Sequence, residues 1–194
     1  NKEEAMKLLA EAGYPEGKGL PPVSYTYNTN DGNKIMAEAL QEMWKTNLGV
    51  NVELKNEEWA VFQSSRKLGD FQIARGAWVS DYDDPMSLLE LFTSYNGNND
   101  AQWRWCPAEA VYPNDKTMNP EQKAYDEAVA KMQITEGPER DEWIRKAEAI
   151  LMDEAVIAPV YYYVYNQIID ESQVEGISRT TMGMWIFKNA KMVG

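Results

Sequence analysis

Residues 22–54, PVSYTYNTNDGNKIMAEALQEMWKTNLGVNVEL, contain the pattern that decides the fold. Apolar and polar side chains alternate in 22–28 and again in 50–54, which is typical of strands. Between them, from 34 to 47, apolar residues recur every three or four positions, which is typical of an amphipathic helix that ends at Leu48-Gly49. The segment therefore predicts a strand, a helix and a second strand in succession.

The flanking sequence continues this alternation in both directions. It predicts helices at 3–12, 57–68, 85–94, 119–135 and 138–153, and further strands at 70–78, 156–165 and 184–187. The predicted fold class is α/β, with a mixed, largely parallel sheet covered by helices on both faces. In such a sheet, ligands bind beyond the carboxyl ends of the strands. The segment 96–120 has no clear period and is predicted to be a long loop.

Composition excludes several classes of function. The chain carries 19 Lys and Arg against 31 Asp and Glu, a formal charge of −12, so nucleic acids and anionic membranes would be repelled. The absence of His excludes a His general base and His metal ligation, and the single Cys106 excludes an internal disulfide. No apolar run approaches the roughly 18 residues of a membrane span.

The strongest candidate site follows the predicted strand at 70–78. Within ten residues it combines a basic residue, two aromatic residues and three carboxylates: Arg75, Trp78, Asp81, Tyr82, Asp83 and Asp84. A carboxylate beside an aromatic face can bind an ammonium group through charge and cation–π attraction. The alternative is an acidic turn in which Asp84 caps the helix that begins near Pro85.

Other chemistries fit this cluster poorly. The order of oxygen ligands in DYDDPMSLLE is not that of a calcium loop, so no metal site is expected. Carboxylates one to three positions apart on one loop cannot flank opposite faces of a sugar. Gly-rich phosphate loops and serine nucleophile elbows are absent from the sequence, so no cofactor is expected.

Three strings carry a resemblance to a known family: AMKLLAEAGYPEGKGLPPVSYTYNTND at 5–31, NLGVNVELKNEEWAVFQSSRKLGDFQIARGAWVSDYDDPMSLL at 47–89, and APVYYYVYNQII at 158–169. In this order and spacing the chain resembles the C-terminal lobe of the oligopeptide-binding proteins of ABC importers, which are extracellular solute-binding proteins of family 5. The resemblance covers nearly the whole chain. The segment 100–120 departs from the family pattern.

The resemblance implies a lobe of the type II periplasmic-binding-protein class that captures extended peptides without catalysis. It further implies that 1–170 form the C-terminal lobe of a longer, two-lobed protein and that 171–194 cross back towards the N-terminal lobe. The chain lacks an initiator Met and starts at the edge of a predicted helix, which also suggests a fragment. The expected partners are an oligopeptide, the N-terminal lobe and the membrane permease subunits. The expected location is extracytoplasmic, with a lipidated N-terminus upstream as the anchor.

Residue by residue, the resemblance implies a peptide-binding set and no catalytic residue: Asp81, Trp78, Trp59, Arg66, Arg75 and Tyr163. Asp81, in the W-x-x-D-Y segment, would hold the N-terminal ammonium of the peptide, and Trp78 would line the cleft. Two other functions remain open at this point. One is a small α/β enzyme that uses the carboxylates of 81–84, and the other is an interaction module that docks a partner through the aromatic loop at 103–112.

Overall fold

The computed structural model describes residues 1–103, 120–164 and 166–193. These residues form two compact units, an amino-terminal unit of 1–77 with 100–102 and a carboxyl-terminal unit of 78–99 with the described part of 103–194. The α-helices are α1 (Lys2–Glu11), α2 (Asp31–Leu48), α3 (Trp59–Leu68), α4 (Met86–Leu89), α5 (Pro120–Met132) and α6 (Gly137–Asp153). The strands are β1 (Val23–Asn28), β2 (Val52–Glu57), β3 (Ile73–Ala74), β4 (Val174–Glu175), β5 (Ser178–Arg179), β6 (Trp185–Ile186) and β7 (Lys191–Met192).

The amino-terminal unit is built on a three-stranded parallel sheet in the order β2-β1-β3. Tyr25 and Tyr27 of β1 pack against α2 around the buried Ala37, with Trp44 at the edge of the same cluster. The alternate residues of β1 point to the other face, on the side where α3 contacts the strand. The predicted strand–helix–strand succession is confirmed, and so is the α/β fold class.

Polar side chains and a glycine define both ends of α2. At its start, Asn30 accepts hydrogen bonds from the N–H groups of Gly32 and Asn33, which otherwise have no partner in a first helical turn. At its end, Gly49 has φ +69° and its N–H donates to Lys45. The Gly49 backbone lies so close to the Glu16 carbonyl that a Cβ would overlap the carbonyl oxygen.

The third strand is much shorter than the prediction of 70–78. Only Ile73 and Ala74 pair with β1, at Tyr25 and Thr26. One position earlier, the Ser24 N–H donates to the side chain of Gln72 at 2.7 Å. A side-chain acceptor thus replaces the backbone carbonyl that would have extended the strand.

The carboxyl-terminal unit is built around the helix pair α5 and α6. Its core contains the following buried residues: Met86, Leu89, Trp103, Tyr125, Ala128, Val129, Met132, Ala147 and Leu151. Tyr125 is completely buried, and its hydroxyl donates to the Leu89 carbonyl at 2.6 Å, which ties α5 to α4. Trp103 packs edge-on against Tyr125 at 5.2 Å.

Trp103 is therefore a core residue. The interpretation of 103–112 as an aromatic loop that docks a partner is wrong at Trp103, its first residue. The rest of that loop, with Trp105 and Cys106, lies outside the described residues.

The prediction of a buried strand at 156–165 is wrong over its described part. Residues 157–164 have no strand pairing, and 160–164 are exposed. The β-branched and aromatic composition indicates a segment that suits a sheet, but a strand also needs a neighbouring strand to pair with. In the tail, β4 pairs with β7 and β5 with β6, both antiparallel, which confirms a short strand within 184–187. Among the described residues, no helix is long and apolar enough to cross a membrane.

Candidate ligand-binding site

The acidic loop, defined here as residues 78–85, presents Trp78 and Asp81 at the surface of the carboxyl-terminal unit. Trp78 is 42% exposed and Asp81 is exposed. The Asp81 carboxylate makes no hydrogen bond or ion pair with the described residues, whereas its backbone N–H donates to the Ser87 hydroxyl at 2.8 Å. The backbone of Asp81 is therefore held while its charge is available to a ligand.

Asp84 has a different environment, although it is only three residues further along. Its Oδ1 accepts the Met86 N–H at 2.8 Å and an Arg140 Nη2 hydrogen bond at 2.6 Å. The hydrogen bond from Arg140 holds the pKa of Asp84 below its ordinary value. Asp84 thus accepts the first N–H of α4, as the capping interpretation expects, although Pro85 stands at the N-cap position, and the Asp84 carboxylate also pairs with Arg140.

Tyr82 adds no charge to the acidic loop near neutral pH. Burial, together with a 2.9 Å hydrogen bond from its hydroxyl to Glu90, raises the pKa of Tyr82 to about 12. Tyr82, Asp84, Glu90 and Arg140 also line an open groove of about 560 Å³ beside the turn between α5 and α6. Because Tyr82 pairs with Glu90 and Asp84 with Arg140, these side chains stabilise the loop internally.

In the amino-terminal unit, Trp59 and Arg66 both lie on α3. Trp59 stands at the first helical position, 52% exposed, with its ring tilted against Phe62 at 6.3 Å. Arg66 is more enclosed, since its guanidinium pairs with Asp100 at 3.1 Å and lies over the Phe62 ring at 4.9 Å. Trp59 therefore presents an open aromatic surface, whereas Arg66 is engaged with its neighbours.

Arg75 lies directly after β3, at the carboxyl end of the parallel sheet. Its N–H continues the pairing by donating to Thr26, and its Nη1 donates to Asn28 Oδ1 at 3.3 Å. Asn33 donates to the same Asn28 side chain at 3.1 Å. Glu57 ends the neighbouring strand β2, and its Oε2 is buried without a hydrogen-bond partner in the described structure.

Sequence reasoning missed Asn28, Asn33 and Glu57, although the rule that ligands bind at carboxyl ends of parallel strands could have found the two strand-end residues. It also missed Ser87 and Arg140, for which the local sequence carries no signal.

Tyr163 lies on the extended segment after α6, 55% exposed, with its ring edge-on to Tyr161 at 5.1 Å. Asp81 and Trp78 share one loop, Trp59 and Arg66 share one helix, and Arg75 and Tyr163 each lie on a further element. No group of three or more Cys, Asp or Glu within the described ranges is arranged to hold a metal ion.

Comparison with known proteins decides the family. The sequence model of the bacterial extracellular solute-binding proteins, family 5 Middle, matches residues 1–100. The chain belongs to this family. It is 38% identical over 191 residues to the oligopeptide-binding protein OppA of Bacillus subtilis, a match that covers 97% of the chain and 32% of that protein. The chain thus spans about a third of the length of this relative.

Solved structures of family 5 proteins share the fold. The murein tripeptide binding protein MppA of Escherichia coli matches with a TM-score of 0.68 and 35% identity, over 84% of this chain and 28% of that chain. The complex of Haemophilus influenzae OppA with RPPGFSPFR matches with a TM-score of 0.66 and 34% identity, over 90% and 31%. The fold is therefore that of type II periplasmic binding proteins, as expected. These family 5 relatives are binding proteins, and they give no support to the enzyme interpretation of residues 81–84.

Proposed function

We propose that this chain is one lobe of a two-lobed peptide-binding protein that serves an ABC importer, and that Asp81 binds the N-terminal ammonium of the peptide. The observation that carries the proposal is the exposed Asp81 carboxylate, which has no partner among the described residues and lies three positions along the loop from the exposed Trp78. An ammonium group that contacts both side chains gains an ion pair and attraction to an aromatic face. Relatives named for oligopeptide binding support a peptide as the ligand.

The difference between Asp81 and Asp84 supports the choice of Asp81. At Asp84 a ligand ammonium would compete with the Arg140 guanidinium, which donates to Oδ1 at 2.6 Å. At Asp81 a ligand would replace only water. The ion pair gains strength when a closing second lobe excludes solvent, since an exposed pair contributes little.

The remaining site residues have less specific roles in this proposal. Trp59 and Tyr163 contribute exposed aromatic surface. Arg75 places positive charge at the carboxyl end of the sheet, while Arg66, whose guanidinium pairs with Asp100, contributes to the charge near Trp59. An extended peptide bound mainly through its main chain is compatible with many sequences. We propose residues 1–170 as the C-terminal lobe and 171–194 as the connection to the N-terminal lobe. The further partners are the permease subunits, with a lipidated N-terminus as the membrane anchor.

The test compares Asp81→Asn with Asp83→Asn in the full-length protein to which we assign this chain. Asp83 is exposed on the same loop, so its substitution matches the charge change. Loss of one partner from a desolvated charge pair weakens binding by about thirtyfold or more. We expect this loss for Asp81→Asn with peptides that have a free N-terminus, no loss with N-acetylated peptides, and none for Asp83→Asn. Calorimetry that finds equal affinities for the parent and Asp81→Asn would contradict the proposal.

We also propose that the protein binds peptides without transforming them. Incubation with a bound peptide should return the peptide intact by mass spectrometry. Turnover that is abolished by Asp81→Asn would instead favour the enzyme interpretation.

A further inference from the structure

The acidic loop is held to the helices of its unit by hydrogen bonds at Asp81 and at Asp84. At Asp81 the contact is the backbone N–H donated to Ser87 of α4 at 2.8 Å. At Asp84 the side chain caps the start of α4 through Met86, and the backbone carbonyl accepts the Ser87 N–H at 3.0 Å. Residues 81–84 are therefore attached to the short helix α4 at both of their ends.

Ser87 is placed to hold Asp81 in one position. It is completely buried, so its hydroxyl has few conformations open to it. Because that hydroxyl accepts a hydrogen bond from the backbone of the ammonium-binding residue itself, a shift of Ser87 would move Asp81 directly. A buried serine hydroxyl that makes no hydrogen bond costs folding free energy, and the hydrogen bond from Asp81 avoids this cost.

Arg140 connects this arrangement to the core of the unit. Its Nη2 donates to Asp84 at 2.6 Å across 56 residues of sequence, and its Nε donates to the Met132 carbonyl at 3.0 Å. Met132 ends α5 and is buried in the core cluster. The two side chains of the pair are 24% and 32% exposed, so water screens them less than it screens a fully exposed pair. The guanidinium thus joins the end of α5 to the acidic loop.

We propose that Arg140, Asp84 and Ser87 are positioning residues that hold Asp81 ready for the peptide ammonium, an inference that rests on the proposed role of Asp81. A carboxylate that is already in place when the ligand arrives loses less conformational entropy on binding. The positioning residues therefore contribute to affinity only when the ligand carries the ammonium that Asp81 binds.

The binding test uses the full-length protein and the ratio of two dissociation constants, that for an N-acetylated peptide over that for the same peptide with a free N-terminus. Arg140→Gln should lower this ratio about two- to tenfold, the effect of losing one hydrogen bond to a charged group. Arg145→Gln, an exposed site on the same helix, should leave it unchanged, and Arg140→Lys should restore part of it. A purely structural role would weaken both peptides equally and leave the ratio unchanged, which would overturn the inference.

A second measurement needs no ligand. Hydrogen exchange at the Asp81 N–H should accelerate about two- to tenfold in Arg140→Gln and in Ser87→Ala, because each removes a hydrogen bond that holds the loop. Asp84→Asn serves where Arg140→Gln folds poorly, since its amide oxygen can still accept the Met86 N–H while the charge is lost. Unchanged exchange in all three variants would overturn the inference.

The two proposals fail in different ways. If Asp81→Asn removes the preference for a free N-terminus while Arg140→Gln and Asp84→Asn keep it, the positioning role is wrong and the proposed function stands. If Asp81→Asn itself keeps the preference, the proposed function is wrong, and the positioning role is overturned with it.

Discussion

At the scale of single residues, the partners of a side chain decide its role. Asp81 and Asp84 are the same residue type on the same loop, and both belong to an acidic run that the sequence presents as uniform. Arg140 and the start of α4 occupy Asp84, while nothing among the described residues occupies the Asp81 carboxylate. An unpaired carboxylate at the surface keeps its hydration until a ligand replaces it, which supports the proposal of Asp81 rather than Asp84 as the ligand-binding carboxylate.

The pairing of Asp84 predicts a pH-dependent stability. Its pKa is lower in the folded protein than its ordinary value of 3.8, so folding favours the ionised form. The contribution of the ionised Asp84 to the free energy of unfolding is therefore fully present well above pH 3.8 and is lost as the pH falls through the folded-state pKa. Asp84→Asn should lower the free energy of unfolding by about 1 kcal/mol at pH 7.

Urea unfolding of the parent and of Asp84→Asn at pH 7, 5 and 3 measures this effect. The difference in the free energy of unfolding between the two proteins should shrink towards pH 3. Asp83→Asn controls for the loss of one charge from the same loop. If this difference in the free energy of unfolding stays constant down to pH 3, the Asp84–Arg140 pair does not cause it.

The hydroxyl of Tyr125 predicts a second effect on stability. It donates to the Leu89 carbonyl inside the core, so Tyr125→Phe leaves that carbonyl buried without its partner. We expect a loss of about 1–3 kcal/mol in the free energy of unfolding. Tyr162→Phe is the matched control because Tyr162 is 92% exposed. Thermal or chemical denaturation that finds equal losses for both would contradict this account of the core.

At the scale of elements, the sequence predicts a helix or strand well when the residues that cap it and give it its periodicity lie within or next to that element. The helix α2 has its cap at Asn30, its apolar stripe and its terminal Gly49 all within twenty or so positions, and the structure has it close to where the periodicity predicts. The extended segment at 157–164 shows the opposite case. Its composition suits a strand, but no described strand pairs with it, so 157–164 form no strand and 158–164 are exposed.

Alanine substitution at Gly49, with Gly13 as the control, tests the close packing at the end of α2. Gly13 and Gly49 both have positive φ, at +92° and +69°, so either substitution by Ala strains the backbone. Only at Gly49 would the new Cβ meet backbone, at the Glu16 carbonyl, whereas nothing lies within 4 Å at Gly13. Gly49→Ala should therefore cost about 1–3 kcal/mol more than Gly13→Ala. Equal changes in the midpoint of chemical denaturation would mean that the Glu16 turn moves aside freely.

At the scale of the whole molecule, each unit has its own buried cluster, whereas the proposed site residues are exposed. The chain's apolar content and two buried clusters are those of a protein that folds, and a chain of this length buries on the order of 70% of its extended surface. The site residues differ, since Trp59, Trp78 and Tyr163 are each about half exposed. A ligand site usually covers about 70–90% of a small ligand, and side chains this exposed do not enclose a ligand by themselves.

We therefore expect the chain by itself to fold and to show no saturable peptide binding. An ion pair to Asp81 in water contributes roughly 0–1 kcal/mol, too little to offset the ordering of a flexible peptide. Calorimetry at micromolar concentration should find binding in the full-length protein and none in this chain, while circular dichroism shows that the chain is folded. Tight binding by the chain alone would place the whole site within it.

The sequence by itself determined what depends on near neighbours: the strand–helix–strand succession, the approximate extent of every helix except the one predicted at 85–94, which is α-helical only over Met86–Leu89, and Asp81 with Trp78 as a candidate pair. These follow from side-chain periodicity and capping, which act over a few residues. Only the tertiary structure decided the length of β3, where Gln72 takes the place of a backbone acceptor, and the pairing of Asp84 with Arg140. It also decided that 157–164 form no strand with the described residues. Hydrogen bonds between residues about fifty positions apart leave no periodic trace in the sequence, because the chain brings them together only when its elements pack.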